Sequence, residues 1–216
     1  MTAPIPPAKP PDPLSGRRYF LQGVRDSLPF LLVVVPFGMV FGVVATEAGL
    51  TVAQTMGFSI GVFAGASQLA ALQLMTENAP TLIIMATALA VNLRLAMYSA
   101  SLAPYLGKAP VLHRAFVAYL LVDQSYALAH AKYEAAPKLS LPGRMGFYLG
   151  SVALIVPMWC VASYLGAVLG NRIPPGLPVD FAVPITFLAV IAPMLRTLAH
   201  VAAAFTSVLG VLVLAF

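Results

Sequence analysis

The sequence contains very little charge. Only 9% of its 216 residues are Asp, Glu, Lys or Arg, whereas 60% are hydrophobic and the mean hydropathy is +0.91. Soluble domains typically have about 25% charged residues, so this composition excludes a soluble catalytic or binding domain as the bulk of the chain. The composition is that of an integral membrane protein.

Cysteine is nearly absent as well. The single cysteine, Cys160, lies inside an apolar run from Phe147 to Leu169, so neither a disulfide framework nor a cysteine-based metal site is available. We predict no metal site and no cofactor. The net charge of +5 comes mostly from Lys and Arg between the apolar segments, which is typical of topology signals and argues against nucleic acid binding.

Apolar segments of about 20 residues, long enough to cross a bilayer, recur along the chain. The sequence therefore predicts an all-α polytopic membrane protein with about six or seven transmembrane helices, some of them short or broken. The candidate spans are Ser27 to Ala48, Thr51 to Met75, Pro80 to Leu106, Val111 to Ala131, Met145 to Leu169, Phe181 to Leu195, and Leu198 to Phe216.

Two of these segments contain prolines that predict interrupted helices. The segment from Phe181 to Leu195 is short and carries Pro184 and Pro193, and the first span carries Pro29 and Pro36. Interrupted helices are how many transporters expose backbone groups to a substrate near the middle of the membrane. A simple kink between packed helices is an equally good interpretation of each proline taken singly.

The amino-terminal 26 residues differ from the rest of the chain. Six prolines lie between Pro4 and Pro13, and Arg17, Arg18 and Arg25 follow them. We predict that residues 1–26 form a disordered cytoplasmic tail and that residues 27–216 form a single transmembrane domain.

The distribution of positive charge predicts the topology. Lys and Arg cluster before the first span and again in the loop with Lys132, Lys138 and Arg144, so both regions are expected in the cytoplasm. An even number of crossings must separate them. Either all four intervening segments cross, which is the simpler option, or two of them do not. The connection around Glu77 carries no positive charge, which leaves a re-entrant second segment open.

Arg94 is the most informative residue of the third span. A charge at the centre of a span costs about 2.5 to 3.5 kcal/mol on the insertion scale, so such residues usually serve a pathway or a partner. Helical periodicity places Arg94, Tyr98 and Ser101 on one stripe and Asn92 and Ser99 on nearly the opposite one. With two polar faces, this span is expected to be either surrounded by protein or unwound near Asn92. Arg94 has two open roles: a ligand for substrate, or the partner in an ion pair.

The fourth segment supplies a candidate acid. Asp123 shares one helical stripe with Tyr119, Tyr126 and His130, and it is the one acid deep within an apolar segment. Desolvation and a nearby Arg94 would act on its protonation in opposite directions, so Asp123 is a candidate for proton coupling. His130 is expected to relay protons or to cap the helix.

Small residues mark the second segment. Gly57, Gly61 and Gly65 are spaced four apart, which is typical of a face where helices pack closely. Ser67 and Gln68 follow directly. A glutamine amide in hydrocarbon must find partners, so Gln68 is a candidate for lining a substrate cavity.

Several of these motifs together resemble the AzlC family of branched-chain amino acid exporters, the large subunit of a two-component permease. The second segment contributes the run from Gly65 to Gln68. The third contributes the run from Asn92 to Arg94, Tyr98, and the run from Ser101 to Pro104. Asp123 in the fourth segment and the run from Asp180 to Pro184 complete the set. The resemblance extends from about Gly23 to the end of the chain.

That resemblance implies export of leucine, isoleucine, valine and similar apolar amino acids such as methionine through a bacterial inner membrane. It also implies a small AzlD-type membrane subunit as partner. The chain departs from the family at two positions: Gln124 stands where the family often has an acid, and Leu95 stands where it often has a histidine. Family members usually continue beyond the position of Phe216.

The leading hypothesis from the sequence is a secondary exporter with its amino terminus in the cytoplasm and no enzymatic activity. Its predicted substrate-binding residues are Ser67, Gln68, Asn92, Arg94 and Tyr98, and its predicted proton-coupling residues are Asp123 and His130. Arg94 would bind the substrate carboxylate, and Asp123 would meet the ammonium group or carry a proton. The alternatives are a passive channel, a scaffold subunit, or an intramembrane serine hydrolase using Ser67 and His130.

Overall fold

The computed structural model describes residues 13–172 and, near the carboxyl end, residues 202, 205–207, 209 and 210. The described residues contain no β-strand, in agreement with the predicted all-α class. The helices within 13–172 are α1 (Pro13–Ser27), α2 (Leu31–Glu47), α3 (Val52–Gly61), α4 (Gly65–Thr76), α5 (Thr81–Leu106), α6 (Val111–Tyr119), α7 (Asp123–Ala135) and α8 (Leu141–Gly170).

The chain divides into two compact units, Met1–Asn171 and Arg172–Phe216. The predicted membrane domain over 27–216 therefore extends across both. The predicted segments Phe181 to Leu195 and most of Leu198 to Phe216 lie outside the described residues, apart from the few helical positions named above.

The predicted disordered tail is partly wrong, because residues 13–26 belong to helix α1. A short 3-10 turn at Leu28–Phe30, which contains Pro29, joins α1 to α2, and Gly16–Glu47 is long and apolar enough to cross a membrane. Close packing against α8 explains why this segment is ordered, since Gly23 lies against the backbone at Phe147. Residues 1–12 lie outside the described residues.

Helices α1 and α2 run parallel to α8 along its whole length. Gly16 lies against Gly146, Phe20 against Gly150, Met39 against Gly166 and Val43 against Gly170, so the residue numbers rise together along both partners. Glycines at these contacts let the backbones approach more closely than any side chain would permit. The first span and the fifth predicted span therefore cross in the same direction.

Helices α5 and α7 also run parallel to each other. Arg94 pairs with Asp123, the ring of Tyr98 stacks on that of Tyr126, and Tyr105 contacts His130. The guanidinium of Arg144, near the start of α8, donates a hydrogen bond to the carbonyl of Tyr105. The carboxyl end of α5 thus lies at the same end of the bundle as the beginnings of α8 and α1.

We call this end of the unit the basic end, because it holds Arg17, Arg18, Lys108, Lys132, Lys138 and Arg144. Helix α5 has 26 residues and is about 39 Å long at 1.5 Å per residue, so its first residue, Thr81, lies at the opposite end. We call the opposite end the acidic end, because Glu47, the last residue of α2, and Glu77, just after α4, lie there.

The second and fourth predicted segments form broken helical hairpins, each of which returns to the end of the unit from which it starts. Helix α3 starts at the acidic end directly after α2, and α4 returns there to meet α5. Between them, Gly65 lies against Phe37 and Trp159, close to the middle of α2 and α8. Helices α6 and α7 form the matching hairpin from the basic end. We name residues 62–64 the first tip and residues 120–122 the second tip.

The two tips meet in the middle of the unit. The hydroxyl of Tyr119 donates a hydrogen bond to the carbonyl of Ile60, and the ring of Tyr119 packs edge-on against Phe63. Helices α3 to α5 and helices α6 to α8 thus repeat one pattern, a broken hairpin followed by a long helix, entered from opposite ends. This is an inverted repeat of the kind found in many transporters.

This arrangement favours the second of the two predicted topologies over the simpler one. Three helices in the described part of the chain are long and apolar enough to cross, namely those over Gly16–Glu47, Thr81–Leu106 and Leu141–Gly170. The structure agrees with the second alternative, in which two of the four intervening segments do not cross. It also accounts for the distribution of charge. The connection around Glu77, which lacks positive charge, lies at the end opposite to the basic end, whereas the connection with Lys108 lies at the basic end.

Neither tip is formed by a proline. Val62, Ala64 and Val122 adopt extended or irregular backbone conformations. At the second tip, the hydroxyl of Tyr148 donates to the freed carbonyl of Val117. At the first tip, the carbonyl of Phe58 accepts the backbone N–H of Val62 and a second hydrogen bond from the amide of Gln68. Such side-chain caps are required wherever a helix ends away from water.

The re-entrant topology makes a labelling prediction. With Cys160 replaced by alanine, Lys108→Cys and Lys138→Cys should react with a membrane-impermeant thiol reagent from one side of the membrane, and Glu77→Cys from the other. Four full crossings would instead put Lys138 and Glu77 on one side and Lys108 on the other. Labelling of inside-out and right-side-out vesicles distinguishes the two patterns, and the second pattern would overturn the hairpin arrangement.

Candidate functional site

The structure brings Arg94 and Asp123 together at the level of the tips. Arg94 lies at the middle of α5, and its Nη1 is 3.2 Å from Oδ2 of Asp123. Asp123 is the first residue of α7, directly after the second tip, where the amino-terminal helix dipole favours a carboxylate. The side chains are 30% and 43% exposed, so the pair is accessible within the described residues.

One atom of each partner remains unused. The Nε of Arg94 and the Oδ1 of Asp123 are buried and have no hydrogen-bond partner among the described residues. The pair therefore offers one further donor and one further acceptor on neighbouring groups. These are the two functions needed to hold an α-carboxylate and an α-ammonium group.

Aromatic rings continue from this pair toward the basic end. The rings of Tyr98 and Tyr126 stack with centroids 4.1 Å apart, and the rings of Tyr126 and His130 with centroids 5.4 Å apart. Tyr98 also interacts with Asp123, and the hydroxyl of Tyr126 donates to Ser101 at 3.2 Å. The predicted stripe of Arg94, Tyr98 and Ser101 thus faces α7.

His130 lies at the far end of this aromatic stack. Its Nε2 is 3.3 Å from a carboxylate oxygen of Glu134, and its Nδ1 is buried without a partner among the described residues. The structure therefore connects the predicted residues Asp123 and His130 through Tyr126, one helical turn at a time. Glu134 was not among the predicted site residues, although its position four residues after His130 on a helix is a detectable signal.

Tyr119 does not share the helix of Asp123, contrary to the predicted four-residue stripe. The second tip separates α6 from α7, and Tyr119 turns toward the first tip instead. A run of three apolar residues, Leu120 to Val122, gives no sequence signal for this break. The helical stripe was correct from Asp123 onward.

Asn92 lies within an unbroken helix, so the predicted unwinding of the third span at this point is wrong. The described residues also do not surround this span as predicted, because they leave Leu89, Leu93 and Met97 exposed. Asn92 itself is half-buried, and its Oδ1 has no partner in the described part of the chain. A third unsatisfied polar atom thus lies on the same helix as Arg94.

Ser67 and Gln68 lie in the first turn of α4, next to the first tip. Both are buried, the hydroxyl of Ser67 donates to the carbonyl of Ala64, and Nε2 of Gln68 donates to Phe58. Within the described residues, neither side chain hydrogen-bonds to Arg94 or Asp123. Their positions indicate that they hold the first tip in its shape.

The glycine spacing of the second segment does not form the predicted packing face. No atom of the described residues lies within 4 Å of a Cβ built on Gly57 or Gly61, whereas Gly65 lies against Phe37 and Trp159. The close glycine contacts occur between α8 and helices α1 and α2. Gly61 and Gly65 flank the first tip, and at Gly65 the absence of a side chain leaves room for the rings of Phe37 and Trp159.

The rival serine hydrolase lacks its central contact in the described residues. The hydroxyl of Ser67 is bonded within its own helix at the first tip, and Nε2 of His130 is engaged by Glu134 near the basic end. A nucleophile and its base must lie within hydrogen-bonding reach of each other. These two residues lie on different hairpins and do not form such a pair.

A cavity of about 440 Å³ lies between the second half of α5 and α6. Its walls are mostly apolar, with Ser99 and Arg114 as the polar side chains. The predicted site residues do not line it, since Arg94 and Tyr98 are on the face of α5 that contacts α7. The cavity is therefore distinct from the candidate site.

Comparison with known proteins agrees with the membrane assignment. The chain is 26% identical to the inner membrane protein YgaZ of Escherichia coli, over 83% of this chain and 74% of that protein. It is 30% identical to an uncharacterized membrane protein of Archaeoglobus fulgidus, over 94% of this chain and 87% of the relative. An uncharacterized membrane protein of Helicobacter pylori is 25% identical over 71% of this chain and 67% of its own length.

No solved structure matches the chain. The family model described as AzlC protein matches residues 29–173. This range includes both tips, Arg94, Asp123 and His130, and it covers more than half of the sequence. The family is a transporter-type membrane family. The chain therefore belongs to the AzlC family.

Proposed function

We propose that this protein is a secondary exporter of branched-chain amino acids. Its substrates are leucine, isoleucine and valine, with methionine as a further candidate. Arg94 binds the carboxylate of the amino acid through its free Nε, and Asp123 accepts a hydrogen bond from the ammonium group through its free Oδ1. The unpaired donor and acceptor on this ion pair carry the proposal.

Tyr98 completes the polar part of the proposed site through its interaction with Asp123. Asn92 has an unused Oδ1 but lies on nearly the opposite stripe of the unbroken helix α5, so it is not part of this ligand set. Ser67 and Gln68, candidates from the sequence, are left out of the ligand set. Their donor groups are already satisfied within the first hairpin.

Apolar residues at the tips would select the substrate side chain. The first tip consists of Val62, Phe63 and Ala64, and the second consists of Leu120, Leu121 and Val122. A polar or charged substrate side chain placed against these residues would lose its hydration without gaining a partner. An aliphatic side chain would bury its surface there at no such cost.

Asp123 and His130 would couple transport to protons. A proton on Asp123 weakens its attraction for Arg94 and for the substrate ammonium group, so protonation and substrate occupancy compete at one carboxylate. His130 and Glu134 would exchange protons with solution at the basic end. Tyr98 and Tyr126 lie between these two groups.

The protein would lie in the bacterial inner membrane with its basic end in the cytoplasm. Positively charged residues accumulate on cytoplasmic sides of membrane proteins, and the basic end holds Arg17, Arg18, Lys132 and Lys138. The amino terminus is then cytoplasmic. The acidic end, with Glu47 and Glu77, faces outward.

A small AzlD-type membrane subunit is the proposed partner. Large apolar side chains on α5 and α6 are exposed, with Leu89 at 69% and Leu112 at 79%. Lipid or a second protein can cover such surfaces. The half-exposed Arg94–Asp123 pair favours protein cover, because a charged pair is costly to hold against hydrocarbon.

Counterflow in proteoliposomes tests the proposal. Vesicles loaded with unlabelled leucine and containing the protein with its co-expressed small subunit are expected to accumulate labelled leucine from outside. Vesicles without either protein serve as the control, as does loading with lysine, whose charged side chain should not be accepted. Saturable exchange of leucine but not lysine is the expected result.

Other results would identify the alternatives. An amino acid flux that does not saturate with substrate concentration, and whose rate does not change with a proton gradient, would indicate a passive channel. Absence of exchange for every apolar amino acid, with and without the small subunit, would leave the ion pair as a structural contact in a scaffold subunit.

A further inference from the structure

A second group of unsatisfied polar atoms lies at the first tip, away from the Arg94–Asp123 pair. Gln68 and Ser59 are both fully buried. The Oε1 of Gln68 and the Oγ of Ser59 have no hydrogen-bond partner among the described residues. Buried polar atoms are nearly always satisfied, so two of them next to one break in a helix indicate a missing ligand.

The hydrogen bond of Gln68 fixes which atom is free. Its amide group lies 3.1 Å from the carbonyl of Phe58, and a carbonyl can only accept, so Nε2 must be the atom there. Oε1 is then left as a pure acceptor. Ser59 directly follows Phe58 in the chain, which brings its side chain to the same end of α3.

Four other buried serines, Ser27, Ser67, Ser125 and Ser151, donate to carbonyl groups three residues earlier in the chain. Ser59 makes no such bond in the described part of the chain, so its oxygen remains free to act as a ligand. Ser163 on α8 shares the unsatisfied hydroxyl of Ser59, but it does not lie beside a break in a helix.

Backbone oxygens add to this excess of acceptors. Helix α3 ends at Gly61, and the carbonyl groups of Ser59 and Gly61 accept no backbone hydrogen bond within the described residues. Phe58 and Ile60 already take donors from Gln68 and Tyr119. The carboxyl end of a helix also carries a partial negative charge.

A small cation satisfies such a group of oxygens better than a neutral molecule. Half-helix carboxyl ends and unwound carbonyl groups are known to coordinate sodium in membrane transporters. The free oxygens here are all neutral, and the described residues contain no cluster of three His, Cys, Asp or Glu side chains. Divalent cations usually require carboxylate ligands, so the chemistry favours a monovalent ion.

We propose that a monovalent cation of the size of sodium binds at the first tip, held by Oγ of Ser59, Oε1 of Gln68 and carbonyl oxygens at the end of α3. The ion joins α3 to α4 across the break and offsets the negative end of the α3 dipole. This site goes beyond the proposed transport function and does not depend on it.

The single tryptophan provides a probe for this site. Trp159 stacks on Phe41, with ring centroids 6.0 Å apart, and Phe41 packs edge-on against Phe58, the neighbour of Ser59. Sodium chloride titrated into the purified full-length protein, with choline chloride holding the ionic strength constant, is expected to change Trp159 fluorescence saturably. The thermal unfolding midpoint should rise over the same concentration range.

Ser59→Ala is the decisive variant, because its hydroxyl makes no hydrogen bond that folding requires. Loss of this ligand should weaken sodium binding about tenfold or more, which corresponds to about 1.4 kcal/mol. Ser67→Ala is the matched control, since its hydroxyl is satisfied within its own helix. Its sodium affinity should be unchanged.

Two results would overturn the cation site. One is an equal response of wild type to sodium and choline, which would mean that water satisfies these oxygens. The other is a sodium response that Ser59→Ala leaves intact, which would put the ion elsewhere. Both readouts are made without transport, so a failed counterflow experiment and a failed sodium titration are separate outcomes.

Discussion

Replacing Arg94 by alanine is expected to abolish leucine counterflow, with a loss of about 100-fold or more. A charge-assisted hydrogen bond contributes about 1.5–3 kcal/mol, and Arg94 would make such bonds to both the substrate carboxylate and Asp123. Asp123→Asn should cause a similar loss, because the amide keeps the shape but not the charge. Initial rates of labelled leucine exchange in proteoliposomes measure both effects.

A double variant separates binding of the substrate from a purely structural ion pair. Removal of one partner leaves the other as an unpaired charge and is strongly destabilising, whereas replacing both partners by apolar residues is often neutral. Arg94→Met combined with Asp123→Leu should therefore regain the wild-type thermal midpoint but not exchange. Recovery of exchange in this double variant would rule out a ligand role for either residue.

Arg114→Ala is the control for loss of a positive charge. Arg114 is exposed on α6, where it lines the apolar cavity and not the candidate site. Its replacement should leave exchange close to wild type. Normal exchange by Arg94→Ala alone would remove the proposed site altogether.

Replacing Gly166 by valine is expected to give the largest loss of stability. A Cβ at this position would collide with the backbone carbonyl of Met39, and a backbone atom cannot move aside without separating α2 from α8. Overpacking in a close-packed core typically costs about 1–3 kcal/mol, and a collision with backbone belongs at the upper limit or beyond. The thermal midpoint and the fraction of monodisperse protein in detergent measure the loss.

Gly57→Ala is the matched control for this substitution. It also replaces a helical glycine, but no atom of the described residues lies within 4 Å of the added Cβ. Alanine is favoured over glycine in a helix by about 0.5–1 kcal/mol, so this variant should be as stable as wild type or slightly more stable. Unchanged stability of Gly166→Val would contradict the close contact between α2 and α8.

Part of the candidate site was predictable because charge in an apolar run has few explanations. Arg94 and Asp123 were identified singly from their cost in hydrocarbon, and the helical period aligned Tyr98 with Arg94 and Tyr126 with Asp123. The structure confirms that these two stripes face each other. The structure shows Ser67 and Gln68 hydrogen-bonded beside the first tip, which sequence spacing does not reveal, because it does not indicate which break in a helix a polar side chain caps.

The positions of the two tips were not predicted from the sequence, because no proline marks them. A proline is a visible obstacle to a helix, so the sequence directed attention to Pro29 and Pro36. Yet the chain continues past Pro29 with only a 3-10 turn and past Pro36 within α2, whereas it reverses direction at Val62 and Leu121, where there is no proline. These breaks exist because side chains from other helices, such as Tyr119 and Tyr148, satisfy the freed carbonyl groups.

Composition, hydropathy and local motifs were enough to identify a helical membrane protein of the AzlC family and to single out Arg94 and Asp123. The turning back of the second and fourth segments, the meeting of their tips and the contact between Arg94 and Asp123 became visible in the folded chain alone. Turning back and crossing bury similar amounts of apolar surface in a membrane, so contacts between distant residues, not hydrophobicity, distinguish them.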